Sequence, residues 1–345
     1  MSDPSSLFTL TAVGHDLRES LRSARALREL EDLTLVVMLT GHHNAGFINY
    51  ILRDEFVGDL ENELIASFDV DQLVNYRDRR PTITFAGDHF TEYMEPKMLL
   101  RLVYDQAQRP FLLLTGPEPD FQWERFAKAI LELIEDFKVK LTVILEGLPM
   151  PVPHTRPLGL TVHGNAGHRL PGLSTFTPMA DLSASAAILL EYRLTEAKQD
   201  VLGLTLHIPH YLSEMLYPQG AVAAIEYLSA ATGLTLPSDK LREQGRDLDG
   251  DIGQQVAQSV EARELVAKLE TSFDEFAEEK TPRSLLVDEN EEIPDAEEIA
   301  SSLQEFLSTQ PRHTRDQPPV KELEYKPHQD QPSAEDPQDE GNTPQ

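Results

Sequence analysis

The chain has 345 residues, 40% of them hydrophobic, enough for one large domain or two ordinary ones, and no apolar run approaches the ~20 residues that a membrane-spanning helix needs. It contains no cysteine, which excludes disulfides, thiolate catalysis, zinc–thiolate sites and iron–sulfur clusters. The formal charge is −29, with 27 Asp and Glu against 10 Lys and Arg in residues 241–345, so the surface repels nucleic-acid phosphates and anionic membranes, and neither is an expected partner.

Met1–Leu10 lacks the basic start and long apolar stretch of a secretory signal, and with the absence of cysteine this places the expected compartment in the cytoplasm. Residues 1–30 read as an N-terminal segment, and from 31 to about 240 strand-like and helix-like stretches follow one another. Leu33–Leu39 is a buried strand, apolar and partly β-branched, closed by Thr40-Gly41. A helix over Asn44–Val57 comes next, then strands at Glu63–Phe68 and Pro81–Ala86. Met98–Tyr104 and Pro110–Thr115 flank a polar turn and predict a local hairpin. Phe126, Ile130, Leu133 and Phe137 recur at helical spacing, giving a helix over Phe121–Phe137 with Asp120 as its expected N-cap. Lys140–Leu145, Leu158–His163 and Val201–Ile208 are further strands, and Ser183–Ala197 and Ala221–Thr232 are helical. Strands separated by helices predict an α/β fold, with a mixed, mostly parallel sheet sandwiched between helices.

Beyond about 240 no strand is legible. Ile252, Val256, Val260, Leu265, Leu269, Phe273 and Phe276 form one apolar stripe, which predicts a single helix of roughly 25 residues. A short helix is expected at Ala296–Leu307, begun by Asp295 and Glu298 in a capping-box-like pattern after the acidic stretch Glu289–Glu298. Residues 241–310 therefore read as a helical region, offering contacts to other proteins or a cover for the core. Residues 311–345, rich in Pro, Gln, Asp and Glu, read as a disordered acidic tail.

Four predicted strands end at a glycine: Thr40-Gly41, Ala86-Gly87-Asp88, Thr115-Gly116-Pro117-Glu118 and Glu146-Gly147. Ligands of α/β sheets bind at the carboxyl ends of strands, so parallel strands would gather Gly41, His42, His43, Asn44, Asp88, His89, Glu118 and Glu146 on one rim. The alternative is a set of ordinary strand-to-helix turns. Gly41–Gly46 lacks the lysine of a phosphate-binding loop and does not match a dinucleotide fingerprint. His207 and His210 are three apart around a proline, which strand alternation sends to opposite faces, so no metal site is expected. No Gly-x-Ser-x-Gly elbow is present, and Ser183 and Ser185 suit capping better than attack. No catalytic residue and no cofactor are assigned.

Several short motifs occur in a recognisable order: Phe68-Asp69-Val70-Asp71-Gln72-Leu73, Tyr76-Arg77-Asp78-Arg79-Arg80-Pro81, Leu114-Thr115-Gly116-Pro117-Glu118-Pro119-Asp120, Gln122-Trp123-Glu124-Arg125, Gly147-Leu148-Pro149-Met150, Pro153-His154-Thr155-Arg156-Pro157 and His207-Ile208-Pro209-His210-Tyr211-Leu212. Together, over about residues 30–310, they resemble the actinobacterial branch of the proteasome assembly chaperone 2 family, whose members some descriptions group with ATP-grasp proteins. The resemblance implies a three-layer α/β/α sandwich like that of nucleoside phosphorylases and hydrolases, homo-oligomers with a trimer favoured, and a chaperone-like or scaffold role without an established reaction. A phosphorylase- or nucleosidase-like enzyme, or a nucleotide- or phosphate-binding protein, is the alternative. Relatives that assist proteasome assembly end in a hydrophobic residue, tyrosine and one further residue; this chain ends Asn342-Thr343-Pro344-Gln345, so a ring-capping role is not expected. Within the motifs, Arg77, Arg79 and Arg80 are expected to pair with Asp69, Asp71 and Asp78 or with a neighbouring subunit. Trp123, the single tryptophan, packs on the sheet or lines a pocket. The proline-rich loop Pro149–Pro157 holds His154 and Arg156 at an interface or a pocket wall.

Overall fold

Alternation along the central strands sorts their side chains into two apolar sets, and burying both sets gives the architecture. The computed structural model describes residues 3–22, 32–171 and 181–280. The expected helix at 296–307, the acidic stretch before it, the tail at 311–345 and the chain end all lie outside the described residues.

The N-terminal segment already carries regular structure: a short strand β1 (Phe8–Leu10) and helix α1 (Ala12–Arg22) precede β2 (Thr34–Thr40). Leu17 and Leu21, one helical turn apart, fix α1 to the core. Then come α2 (Ile48–Asp59), β3 (Asn62–Phe68), β4 (Ile83–Ala86), β5 (His89–Tyr93), β6 (Leu99–Tyr104), β7 (Pro110–Pro117), α3 (Trp123–Asp136), β8 (Leu141–Met150), β9 (Leu160–His163), α4 (Ala186–Glu196), β10 (Val201–Pro209) and α5 (Pro218–Thr232). Eight strands form one sheet in the order β1-β3-β6-β7-β2-β8-β10-β9. The central β7, β2, β8 and β10 are mutually parallel, and antiparallel strands close both sides. The Met98–Thr115 region is the antiparallel pair that its polar turn predicts.

Val36, Met38, Leu113, Val143, Leu145, Leu204 and Leu206 face one side of the sheet, where α2 and α5 cover them through Ile48, Leu52, Phe56, Ile225 and Leu228. Leu35, Val37, Leu39, Leu112, Leu114 and Ile144 face the other, under α1, α3 and α4 through Leu17, Ile130, Leu133, Leu190 and Leu194. This is the three-layer sandwich that the residue pattern predicts.

Three local expectations are corrected. The strand around Pro81–Ala86 is not part of the main sheet: β4 pairs only with β5, as a separate hairpin whose every residue is exposed. Gln122, in a left-handed conformation, precedes α3, while Asp120 turns away to accept from the Asn75 N–H (2.7 Å) and to pair with Arg79. The apolar stripe of the C-terminal region runs along two helices, α6 (Asp239–Gln258) and α7 (Val260–Lys280). The one five-residue interval in the stripe, Val260 to Leu265, follows the break at Ser259, whose backbone is extended and whose Oγ accepts from the Ala262 N–H (3.1 Å). Leu241 and Ile252 of α6 join the core beside α5, and Val266 and Leu269 of α7 are buried. Arg156 on the proline-rich loop anchors α7 with two bonds to Asp274 (2.8 and 2.6 Å) and one to Glu270 (3.1 Å).

Among the described residues no helix is long and apolar enough to cross a membrane.

Candidate functional site

Strands β2, β7 and β8 are parallel and run toward one edge; only β2 stops at its glycine, Gly41, whereas β7 passes through Gly116 to Pro117 and β8 passes through Gly147 to Met150, paired there with β10. β2 pairs with β8 only from Thr34↔Leu141 to Val37↔Ile144, whereas it follows β7 as far as Thr40↔Pro117. The two strands therefore fork. From β2 the chain leaves toward β3 on one side of the sheet order, and from β8 toward β9 on the other, so the fork is a topological switch point, where open α/β sheets place their ligands.

Both sides of the fork are closed by side chains. On the α2 side the buried Asn49 amide donates to the carbonyls of Leu39 and Leu145, 2.9 Å each, giving a partner to two strand carbonyls that no longer face each other. On the α4 side stand two buried carboxylates. Glu118 accepts from the His42 N–H and from the Ala186 N–H at the start of α4, 2.8 Å each. It thereby ties the turn after β2 to the N-terminus of α4, where a negative charge is favoured. Glu146 accepts from Ser185 Oγ (2.9 Å) and stands 3.3 Å from His43 Nδ1. Ser185 itself caps α4, accepting from the Ile188 N–H (3.0 Å), which matches the capping role read for it in the sequence. Gly41 is required by a close approach: a Cβ there would lie 2.0 Å from Glu118 Oε2. The cavity left between Gly41, His42, His43, Glu118, Glu146 and Ser185 measures about 10 Å³, room for a single water.

The rim thus unites Gly41, His42, His43, Glu118 and Glu146. Asn44 lies beside it, its backbone bridged to Gly147 and its side-chain oxygen buried without a hydrogen-bond partner. The other expected members are elsewhere. Asp88 and His89 form the exposed tip of the β4–β5 hairpin and bond each other (2.7 Å), because their strand never enters the sheet. Trp123 is half-buried at the start of α3 and donates its indole N–H to the Pro119 carbonyl (2.6 Å), away from the cavity. His154 lies over the α5 and α6 side, its N–H donating to Tyr211 Oη (2.8 Å), and burial lowers its pKa against the pull of Asp249 and Glu270. Asp69, Asp71 and Asp78 are used within their own turns, accepting from Gln72, Tyr76 and Asn75 (2.6 Å each), so the arginine pairing expected for them goes instead from Arg79 to Asp120.

A second polar group, of which the motifs hold only His207, continues from Glu146 across the sheet beneath α4. Burial lowers the pKa of His163, but its Nδ1 contact with Glu191 (2.7 Å) and the charges of Glu191 and Glu146 outweigh this and raise it above the ordinary histidine value. His163 Nε2 meets Thr205 Oγ1 (2.9 Å), and His207 Nε2 meets Thr161 Oγ1 (2.8 Å). The ring of His163 occupies the space over Gly203, where a Cβ would lie 1.9 Å from it. The signal was the alternation of β10. Leu202, Leu204 and Leu206 take the apolar face, which leaves Gly203, Thr205 and His207 together on the opposite one. Among the described residues no group of three or more His, Asp or Glu is placed to hold a metal ion.

The PAC2 family model matches residues 38–256. A solved Mycobacterium tuberculosis protein of unknown function is 35% identical, with a TM-score of 0.72 over 83% of this chain and 94% of its own. A Corynebacterium glutamicum protein of unknown function is 31% identical, with a TM-score of 0.74 over 81% of this chain and 100% of its own. A second M. tuberculosis structure, described as a proteasome-assembly chaperone homologue, shares the fold at 22% identity and a TM-score of 0.62, over 68% of this chain and 100% of its own. Comparison with curated proteins gave no match.

Proposed function

The chain belongs to the PAC2 family, and on that premise we propose that it is a chaperone-like or scaffold protein that works by holding other protein chains, itself included as a homo-oligomer, and not by making or breaking bonds. One observation carries this reading. The polar groups at the switch point are spent on the fold, with Glu118 held by two backbone N–H groups and Glu146 by Ser185, around space for one water. Small-molecule sites are commonly ~300–1,000 Å³. The description of one relative of the same fold as a proteasome-assembly chaperone homologue supports a role of this class. Crosslinking in the native cell followed by affinity purification should recover a partner protein in stoichiometric amount, and light scattering should give a mass that is a multiple of the monomer's. A strictly monomeric mass at micromolar concentration, with no crosslinked partner, would count decisively against it.

A second reading rests on the same geometry: two buried carboxylates, His43 and Ser185 meet at a switch point, as in a phosphorylase- or nucleosidase-type site. Phosphate, nucleosides and nucleotides at millimolar concentration should leave the melting temperature unchanged under the first reading. A rise with any of them would move the assignment to the second.

A further inference from the structure

In a chain of net charge −29, two arginines beside the rim are left over. Arg77 and Arg80 are exposed, and among the described residues neither forms an ion pair. The carboxylates nearest them are engaged, Asp71 by Tyr76 Oη, Asp78 by Asn75 and Asp120 by Arg79. Their loop is wrapped on the segment that follows β7. The Leu73 carbonyl accepts from the N–H groups of Asp120 (2.7 Å) and Phe121 (3.1 Å), and Arg79 donates to the Glu118 carbonyl (2.7 Å). Exposed apolar groups stand on either side of the same Glu118. Phe121, three residues past it, is 49% exposed, and Leu182, four residues ahead of the Ala186 N–H that Glu118 holds, is 69% exposed. A surface with two unpaired guanidinium groups and two apolar side chains fits a segment in which carboxylates alternate with apolar anchors.

The chain carries such a segment beyond α7. Residues 288–305 hold eight Asp and Glu and no Lys or Arg, and Ile299, Leu303, Phe306 and Leu307 lie among and just after them. The place where the chain leaves α7 also suits. Glu270 and Asp274 are bonded to Arg156, six residues past the carboxyl end of β8, and α7 ends at Lys280, so the chain departs at the edge of the sheet that carries the rim. Eight strands ~4.8 Å apart make that edge about 34 Å wide. Residues 281–295 span up to roughly 50 Å when extended, enough to cross it. Exposed ion pairs are individually weak, but a tether of this length holds the segment at a local concentration on the order of millimolar.

We propose that residues 288–307 dock on their own chain at this surface, carboxylates on Arg77 and Arg80 and apolar side chains on Phe121 and Leu182, and so cover the rim edge against other ligands. The contact lies within one chain and does not depend on self-association. The test uses the full chain with Ser302→Cys, the single cysteine of a chain that otherwise has none, carrying a dye that accepts energy from tryptophan. Trp123, the single tryptophan, stands two residues from Phe121 and is the donor. The expected result is energy transfer at least twofold greater than in the Arg77→Glu/Arg80→Glu variant, falling steadily as sodium chloride is raised from 10 to about 500 mM. Glu297→Lys/Glu298→Lys alone should lower the transfer too, and combined with the arginine reversal should restore it. Should the arginine reversal lose its circular dichroism, Phe306→Ser/Leu307→Ser, outside the described residues, carries the same comparison. Transfer that neither the variants nor salt change overturns the proposal. Transfer that falls on dilution at constant salt overturns it as well, because it puts the segment on a second copy.

Discussion

Glu118 shows how much one side chain can hold together. Its carboxylate is 6% exposed and has the N–H groups of His42 and Ala186 as partners, 76 and 68 residues away in sequence. Truncation strands the buried Ala186 N–H and the partly buried His42 N–H, and hydrogen bonds to a charged group contribute ~1.5–3 kcal/mol each. Glu118→Ala should therefore lower the unfolding free energy by about 3 kcal/mol in urea titrations. Glu118→Gln should lose less, because its carbonyl still serves one donor; no loss in either variant would show that the charge and both contacts are dispensable. His163 offers a second test. Its raised pKa means that the folded state binds the proton more tightly than the unfolded chain does. The stabilisation is fully present below the ordinary histidine value near ~6.5 and is lost as pH rises through the folded value. Glu191→Gln should bring the His163 titration, followed by NMR, back toward or below that ordinary value and flatten the pH dependence of stability above it. An unmoved titration would place the cause elsewhere.

At the scale of elements, the C-terminal helices are joined to the sandwich by specific local devices. Ser259 ends α6 in an extended conformation and starts α7 by capping it, so the single apolar stripe bends into two packed segments. α7 is then fixed by Val266 and Leu269 below and by the Arg156 bonds to Glu270 and Asp274 at the side, with Val260 and Leu265 left exposed. Few buried contacts make such an element prone to open by itself. Arg156→Ala should speed amide hydrogen exchange across 262–275 while leaving the global denaturation midpoint unchanged, since exposed ion pairs contribute little to overall stability. A large fall in the global midpoint would show that α7 unfolds with the sandwich as one unit. The sequence made α7's existence plain through its helical spacing. It concealed the break, because one five-residue interval in an apolar stripe is a weak signal until Ser259 is seen with its side chain on the next helix.

For the molecule as a whole, charge is the dominant long-range quantity. A net −29 places every copy under self-repulsion, which destabilises the compact state and is screened over ~10 Å at 0.1 M salt. Raising sodium chloride from 10 to about 150 mM should therefore raise the melting temperature by a few degrees and favour any self-association. A melting temperature that falls with salt would mean that attractive pairs such as Arg79–Asp120 and Arg156–Asp274 outweigh the repulsion.

Residue order alone determined the layers and the shared rim. Strand and helix periods are set by neighbours along the chain, and the glycine that follows β2 marks where the backbone turns over the sheet. It also placed Gly41, His42, His43, Glu118 and Glu146 together, since parallel strands bring their ends to one side. Tertiary structure alone decided three things. Asp88 went to a detached hairpin, because nothing in a short apolar run says which strand it will pair with. Asp120 met Arg79 and not the helix it precedes, because a cap and a distant guanidinium compete for the same carboxylate. The rim carboxylates became fasteners for α4, because the donors that satisfy them come from segments whose approach only the packed sheet fixes.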